Sequence, residues 1–182
     1  VRPGAAVTRT GARAGDGIWV TGHPGDAVAG RLLLDVAGQV SATVREPLCQ
    51  RFLYPEPRLR EGSALAAVAT AMLDVSDGLH DDIDKLMVAS GMGAELDAGL
   101  LPLSAELRTA AADRAIEYAL TGGDDYELCF TVPERATARL RAIAADWAVP
   151  VTRIGTVVSE PGVRWQYQGR PLQVPDSTFR HF

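Results

Sequence analysis

The sequence predicts an α/β (α+β) domain, a layered mixed β-sheet with flanking helices. Two observations carry this prediction. Short β-branched or alternating runs recur between stretches whose apolar residues have helical spacing, with Gly and Pro at the joins. The chain then closes on a hairpin pattern, and no internal repeat accompanies it. A length of 182 residues suits one domain with a real core, and 47% hydrophobic with 23% charged residues is an ordinary globular composition.

GIWVTG, residues 17–22, is β-branched and aromatic between glycines and reads as a strand. A helix should begin near Gly25 or Asp26, turn Ala27, Leu33 and Leu34 inward, and end at Gly38. Arg45 to Phe52 is expected to be a short helix, broken by the two prolines of YPEPR. Ser63 is placed to cap a compact helix over ALAAVAT, and Met72 to Val75 should extend as a strand. From about Ser76 to Ser90, Leu79, Ile83, Leu86 and Met87 share one helical face, while Asp81, Asp82, Asp84 and Lys85 point elsewhere. Gly91 and Gly93 stop that helix, and GAELDAGLLPL gives a strand and a loop. Residues 104–119 read as helical. In GGDDYELCFTV, Tyr126, Leu128, Phe130 and Val132 alternate onto one face of a strand. Pro133 opens a helix with Leu140, Ile143, Ala144 and Trp147 at helical spacing. PVTRIGTVV is a further strand, and VRWQYQGRPLQV a hairpin turning near Gly169.

The formal charge is -5, no run of Lys or Arg occurs, and aromatics are 6%, which argues against a nucleic-acid surface. No apolar stretch approaches the roughly 20 residues of a membrane span, and the opening residues do not resemble a signal peptide. Cys49 and Cys129, far apart in apolar surroundings, read as buried free thiols in a reducing cytoplasm. His23, His80 and His181 lack the spacing of a zinc site.

The stretch MLDVSDGLHDDIDK concentrates the chemistry. Asp74 closes an apolar strand and Asp77 stands at the mouth of a helix, with Ser76 between them. Capping accounts for one of these acids, since a carboxylate near a helix N-terminus gains about 0.3 to 1 kcal/mol. It leaves Asp74, whose burial without a partner would be costly. The spacing is not that of an EF-hand, because Leu79 takes the place of the turn glycine and Lys85 that of the closing carboxylate. Amides and Ser76 beside two carboxylates suit phosphate bridged by magnesium, and the residues alone leave that reading and simple capping both open. In TGGDDYEL the residues alone favour solvated turn residues for Asp124 and Asp125 over a ligand site. GHPGDAVAG could cradle a phosphate, yet it lacks a Walker lysine and the Rossmann spacing. No Gly-x-Ser-x-Gly elbow is present.

Taken together, TRTGARAGDGIWVTGHPGDAVAG, YPEPR, AMLDVSDGL, SGMGAELD, LPLS, ALTGGDDYELCFTVP and the closing FRHF resemble, in order from about Thr8 to Phe182, the C-terminal domain of the thiamine-monophosphate kinase family. The resemblance implies a fold similar to the C-terminal domain of aminoimidazole ribonucleotide synthetase. It also implies transfer of the γ-phosphoryl of ATP to thiamine monophosphate, assisted by Mg2+. By resemblance Asp74 and Asp77 are magnesium ligands, Ser76 and Arg9 contact ATP, Asp124 binds the substrate, and Phe179 lies against thiamine, where its ring can stack on the cationic heterocycle. No catalytic His is implied: the attacking oxygen belongs to a phosphate monoester with a second pKa of about 6, already anionic near neutrality.

The resemblance further implies that residues 1–182 are the C-terminal domain, with 1–10 a remnant of the interdomain segment, and that the N-terminal ATP and metal domain is missing. The isolated chain is accordingly expected to fold and to transfer phosphate poorly. The family's homodimer is built largely by the N-terminal domains, so this piece is expected to be a monomer or to pair through newly exposed surface. Two other readings stay open, a related ATP-dependent synthetase and a non-catalytic binding module.

Overall fold

A computed structural model describes residues 6–35 and 40–175. Seven strands form one mixed sheet: β1 (Gly17–Thr21), β2 (Ala71–Val75), β3 (Gly93–Asp97), β4 (Glu127–Val132), β5 (Val151–Val158), β6 (Gly162–Tyr167) and β7 (Arg170–Leu172). Their order is β2-β4-β1-β5-β3-β6-β7. Neighbours are antiparallel except β3 and β6, which run parallel. The helices are α1 (Asp26–Leu34), α2 (Ala42–Leu53), α3 (Leu59–Leu65), α4 (Leu79–Ser90), α5 (Ala105–Ala111), α6 (Ala115–Thr121) and α7 (Thr137–Ala144).

Strand alternation sorts the core into two layers. Ile18, Val20 and Cys129 face the side covered by α4, where Leu79, Ile83, Leu86 and Met87 pack as their spacing predicted. Trp19, Phe130 and Val132 face the other side, against Leu65 and Leu140, with Leu128, Ile143 and Trp147 partly buried around them. A third cluster joins α1, α2 and α5 through Leu33, Leu48, Cys49 and Leu107. There α1 and α2 touch backbone to backbone: a Cβ on Gly30 would lie 2.0 Å from the Leu48 carbonyl oxygen. Both thiols are free and buried, and burial pushes that of Cys129 up to about 12.

Several predicted boundaries are corrected. Ser63 lies inside α3, and the alanines after Leu65 form turns that lead into β2, so ALAAVAT is not a helix. The run 104–119 is split because Ala112 takes φ 45 between α5 and α6. Pro133 precedes a short 3-10 turn, and α7 begins only at Thr137. The predicted α1 terminus at Gly38 lies outside the described residues; α1 ends at Leu34.

Glu127 starts β4 in a fully enclosed position. Arg58 clamps it with two hydrogen bonds, Nε to Oε2 at 2.8 Å and Nη2 to Oε1 at 2.7 Å. The Thr21 hydroxyl donates to Oε2 at 2.7 Å and accepts from the Leu128 amide at 2.8 Å. The end of β1, the start of β4 and the strap before α3 thus meet at one carboxylate, which Arg51 of α2 also approaches at 4.0 Å. Removing one partner of a buried ion pair leaves an unpaired buried charge, whereas replacing both removes the cost of desolvation. We predict that Arg58→Met destabilises the chain by about 3 to 5 kcal/mol in urea unfolding, and that Arg58→Met with Glu127→Leu loses less than Arg58→Met alone.

Candidate functional site

The site is built where β2 turns into α4. β2 is an edge strand, and Asp74 projects from it exposed, so no buried, unpaired carboxylate has to be explained there. The chain then bends through Ser76, Asp77 and Gly78, and α4 starts at Leu79, three residues later than predicted. Gly78 has φ 115, a conformation that side-chain-bearing residues avoid, and an added Cβ would crowd the Thr121 carbonyl at 3.1 Å.

Asp82, expected to point away, is buried and organises this turn. Its Oδ2 accepts from the amides of Ser76 at 2.8 Å and Asp77 at 3.0 Å. Its Oδ1 accepts from Lys85 Nζ at 2.8 Å, and the same ammonium is ion-paired with Asp77 Oδ2. Those two amides therefore hold an internal carboxylate, contrary to the expectation that they face a ligand. A groove of about 380 Å³ opens beside the turn, lined by Arg9, Asp74, Ser76, Asp82 and Lys85 together with Met72 and Leu73. Arg9 reaches it because residues 8–10 run alongside β2, where the Met72 amide donates to the Thr8 carbonyl at 2.9 Å.

The Asp124 loop docks on the same turn. The Asp124 amide donates to the Ser76 carbonyl at 2.9 Å, and the Tyr126 amide to the Val75 carbonyl at 2.8 Å. Tyr126 has φ 52 and precedes β4, a correction to its predicted place on the strand face. It is 38% exposed; partial burial raises its phenol pKa first, followed by the nearby carboxylates of Asp124 and Asp74. Of the six predicted residues, Arg9, Asp74 and Ser76 share the groove, Asp77 stands in the turn beside it, and Asp124 adjoins the turn. Phe179 lies outside the described residues.

Sequence reasoning missed Asp82, Lys85, Asp125 and Tyr126 as members of this region. Asp82 and Lys85 stand three apart on α4, a spacing that brings side chains together on a helix, and this was the available signal. In GHPGDAVAG, where the sequence allowed a phosphate cradle without the Walker or Rossmann pattern, the amides are taken by Asp125, whose Oδ2 accepts from the Gly25 amide at 2.7 Å and Oδ1 from that of Ala27 at 3.2 Å. Burial raises the Asp125 pKa well above the usual carboxylate range; the two amides oppose this, and Asp26 and Glu127 add to it.

Among the described residues no group of three or more His, Cys, Asp or Glu is placed to hold a metal ion. The donor set nevertheless suits positive charge, since Lys85 already bridges two of its carboxylates.

Fold and site together define an α/β domain that gathers carboxylates, a serine and an arginine around a strand-to-helix turn. The chain belongs to the family described as AIR synthase related protein, C-terminal domain, whose model matches residues 13–168. It is 41% identical over 182 residues to thiamine-monophosphate kinase of Escherichia coli K12 and 42% identical to that of Salmonella typhimurium, in each case over 98% of this chain and 56% of the relative. The chain thus spans about half the length of the curated relatives it matches. The crystal structure of thiamine-monophosphate kinase from Stenotrophomonas maltophilia superposes with a TM-score of 0.85 at 38% identity, covering 94% of this chain and 56% of that one. A structure described as AaThiL complexed with AMPPCP and TMP superposes with a TM-score of 0.77 at 34% identity, covering 91% and 53%.

Two predictions follow from the buried acids. Asp82→Ala leaves the Ser76 and Asp77 amides without their acceptor; we expect those two amides to lose protection in hydrogen-exchange NMR while the α4 interior keeps its own. Burial raises the Asp26 pKa to about 6; the 2.6 Å bond from Ser104 opposes this, as do His23 and Arg51, while Glu106 adds to it. The folded chain therefore keeps a proton that the unfolded chain releases near pH 4, and stability should fall as pH rises from about 4 to about 6, by about 3 kcal/mol for this group. Asp26→Asn, which still accepts from Ser104, should flatten that part of the stability profile in urea titrations.

Proposed function

We propose that this chain is the C-terminal part of a kinase that transfers the γ-phosphoryl of ATP to thiamine monophosphate, giving thiamine diphosphate in the cytoplasm. The observation that carries this reading is the meeting of Arg9, Asp74 and Ser76 in one groove, with Asp124 hydrogen-bonded to the same turn. The relatives at 41% and 42% identity, which bear that activity in their names, support it.

In this reading Asp74 and Asp77 hold Mg2+, which when bound offsets the charge of the phosphates and draws them together. Arg9 and Ser76 bind the polyphosphate of ATP, the guanidinium as a planar donor to phosphate oxygens and the hydroxyl as a hydrogen-bond donor. Asp124 attracts the cationic ring of thiamine, and Phe179 stacks on it. None of these residues has to remove a proton, because the acceptor phosphate is already anionic near neutral pH. The work is alignment of two charged groups and exclusion of water. Lys85 keeps Asp77 and Asp82 from repelling each other in the absence of a divalent ion.

The remaining nucleotide and metal ligands belong, in this proposal, to a preceding domain, and the homodimer of the whole enzyme is built there. The test is thiamine diphosphate formation, read by mass spectrometry. The chain by itself should give little or no product, and the chain joined to the N-terminal half of a related kinase should give product. In the joined form Asp74→Asn or Asp77→Asn should lower turnover at least about 100-fold, a scale set by loss of charge stabilisation in the transition state. Full turnover by the isolated chain, or by the Asp74→Asn form, would sink the proposal.

A further inference from the structure

We infer that Asp125 is a positioning residue: seated on the first amides of α1, it holds the loop that presents Asp124 against the Ser76 turn. The role of Asp124 as an acceptor-binding residue rests on the function proposed above. The mechanical tie rests only on hydrogen bonds.

The loop has an unusual backbone. Asp124 has φ 66 and Tyr126 φ 52, two left-handed residues with side chains on either side of Asp125. Such conformations are disfavoured for L-residues and persist where surrounding contacts over-determine them. Here the contacts alternate along three successive residues. The amides of Asp124 and Tyr126 reach the end of β2, at the carbonyls of Ser76 and Val75. Between them the Asp125 side chain turns to α1 and accepts from Gly25 and Ala27, one amide on each carboxylate oxygen. The α1 end of this tie is itself fixed. Gly25 has φ 93, and a Cβ there would come within 2.7 Å of the Ala119 nitrogen, so the mouth of α1 is pressed onto α6. The far end of the loop enters β4 at Glu127, which Arg58 clamps.

Both donors are met because the carboxyl group of Asp125 offers two acceptor oxygens, one to each amide. An asparagine offers one acceptor oxygen and places an NH2 group against the second amide, and an alanine offers nothing. With the tie cut, the two left-handed residues lose one of the constraints that offset their strain, and Asp124 is free to leave the turn. Nucleotide contacts at Arg9 and Ser76 do not pass through this tie. The loss should therefore fall on the acceptor side of the site.

The test compares Asp125→Ala and Asp125→Asn with the unaltered chain. By hydrogen-exchange NMR we expect the amides of Asp124 and Tyr126, which are not partners of Asp125, to exchange at least about tenfold faster in Asp125→Ala, with Asp125→Asn between. By calorimetric titration of the chain joined to the N-terminal half of a related kinase, thiamine monophosphate affinity should fall about tenfold in the Asp125 variants while affinity for a non-hydrolysable ATP analogue stays within about twofold. Unchanged protection at Asp124 and Tyr126 in both variants overturns the inference, as does parallel weakening of both ligands, which would indicate general loosening. If Asp125→Ala does not fold, Asp125→Asn decides by the same readouts. If the chain joined to the N-terminal half of a related kinase binds no thiamine monophosphate while the exchange result is as expected, the positioning role stands and the thiamine reading is what fails.

Discussion

The rest of the structure depends on a carboxylate that has almost no access to water. Glu127 survives in the interior because Arg58 and Thr21 together satisfy it, and the space around it is closed: a Cβ on Gly22 would lie 1.9 Å from Glu127 Oε1. The hydrogen bonds are directional, so the pair fixes where β4 begins, which apolar packing alone would leave free to slide by two residues. That start sets the register in which Asp74 stands opposite Leu128 and Val75 opposite Glu127. The Asp124 loop is then delivered to the end of β2.

Around the Ser76 turn the chain handles its own acids before any ligand arrives. Asp82 sits in the place where an external anion would approach the Ser76 and Asp77 amides, and the Lys85 ammonium sits where a cation would neutralise Asp77. The same device recurs at α1, where Asp125 occupies the helix mouth. Two helix entrances that look like phosphate seats from their glycines are thus filled from within. The open groove lies beside the first of them, on the Asp74 and Arg9 side.

Much of this was legible in the sequence because it is periodic or local. The face of Leu79, Ile83, Leu86 and Met87, the two-residue spacing of Leu128, Phe130 and Val132, and the Gly169 turn all appear where their patterns put them. The layered α/β (α+β) character followed from the alternation of elements and the terminal hairpin. What stayed hidden is long-range. Nothing near Asp82 in the sequence says that it reaches back to Ser76, and its place among exposed acids suggested solvent. Asp125 and Gly25 are 100 residues apart, so their bond is invisible to any spacing rule. Ala112 and Tyr126 adopt left-handed backbones that local propensity disfavours, and tertiary contacts around Tyr126 favour its conformation. Asp74, Asp77 and Ser76 stood out from the residues themselves, with capping left open; the roles of all six candidate site residues came from resemblance to a family, and five of the six fall among the described residues.

The burial of Cys129 reaches beyond packing. Its thiol lies on β4, between β2 and β1, with no exposed surface, and burial pushes its pKa up to about 12. Only the thiolate reacts readily with alkylating reagents, and the folded chain offers neither the thiolate nor a path to it. Modification at this position must wait until β4 separates from its neighbours. The rate of labelling at Cys129 is therefore a clock for the parting of β4 from β2 and β1, carried by the native sequence without any added probe.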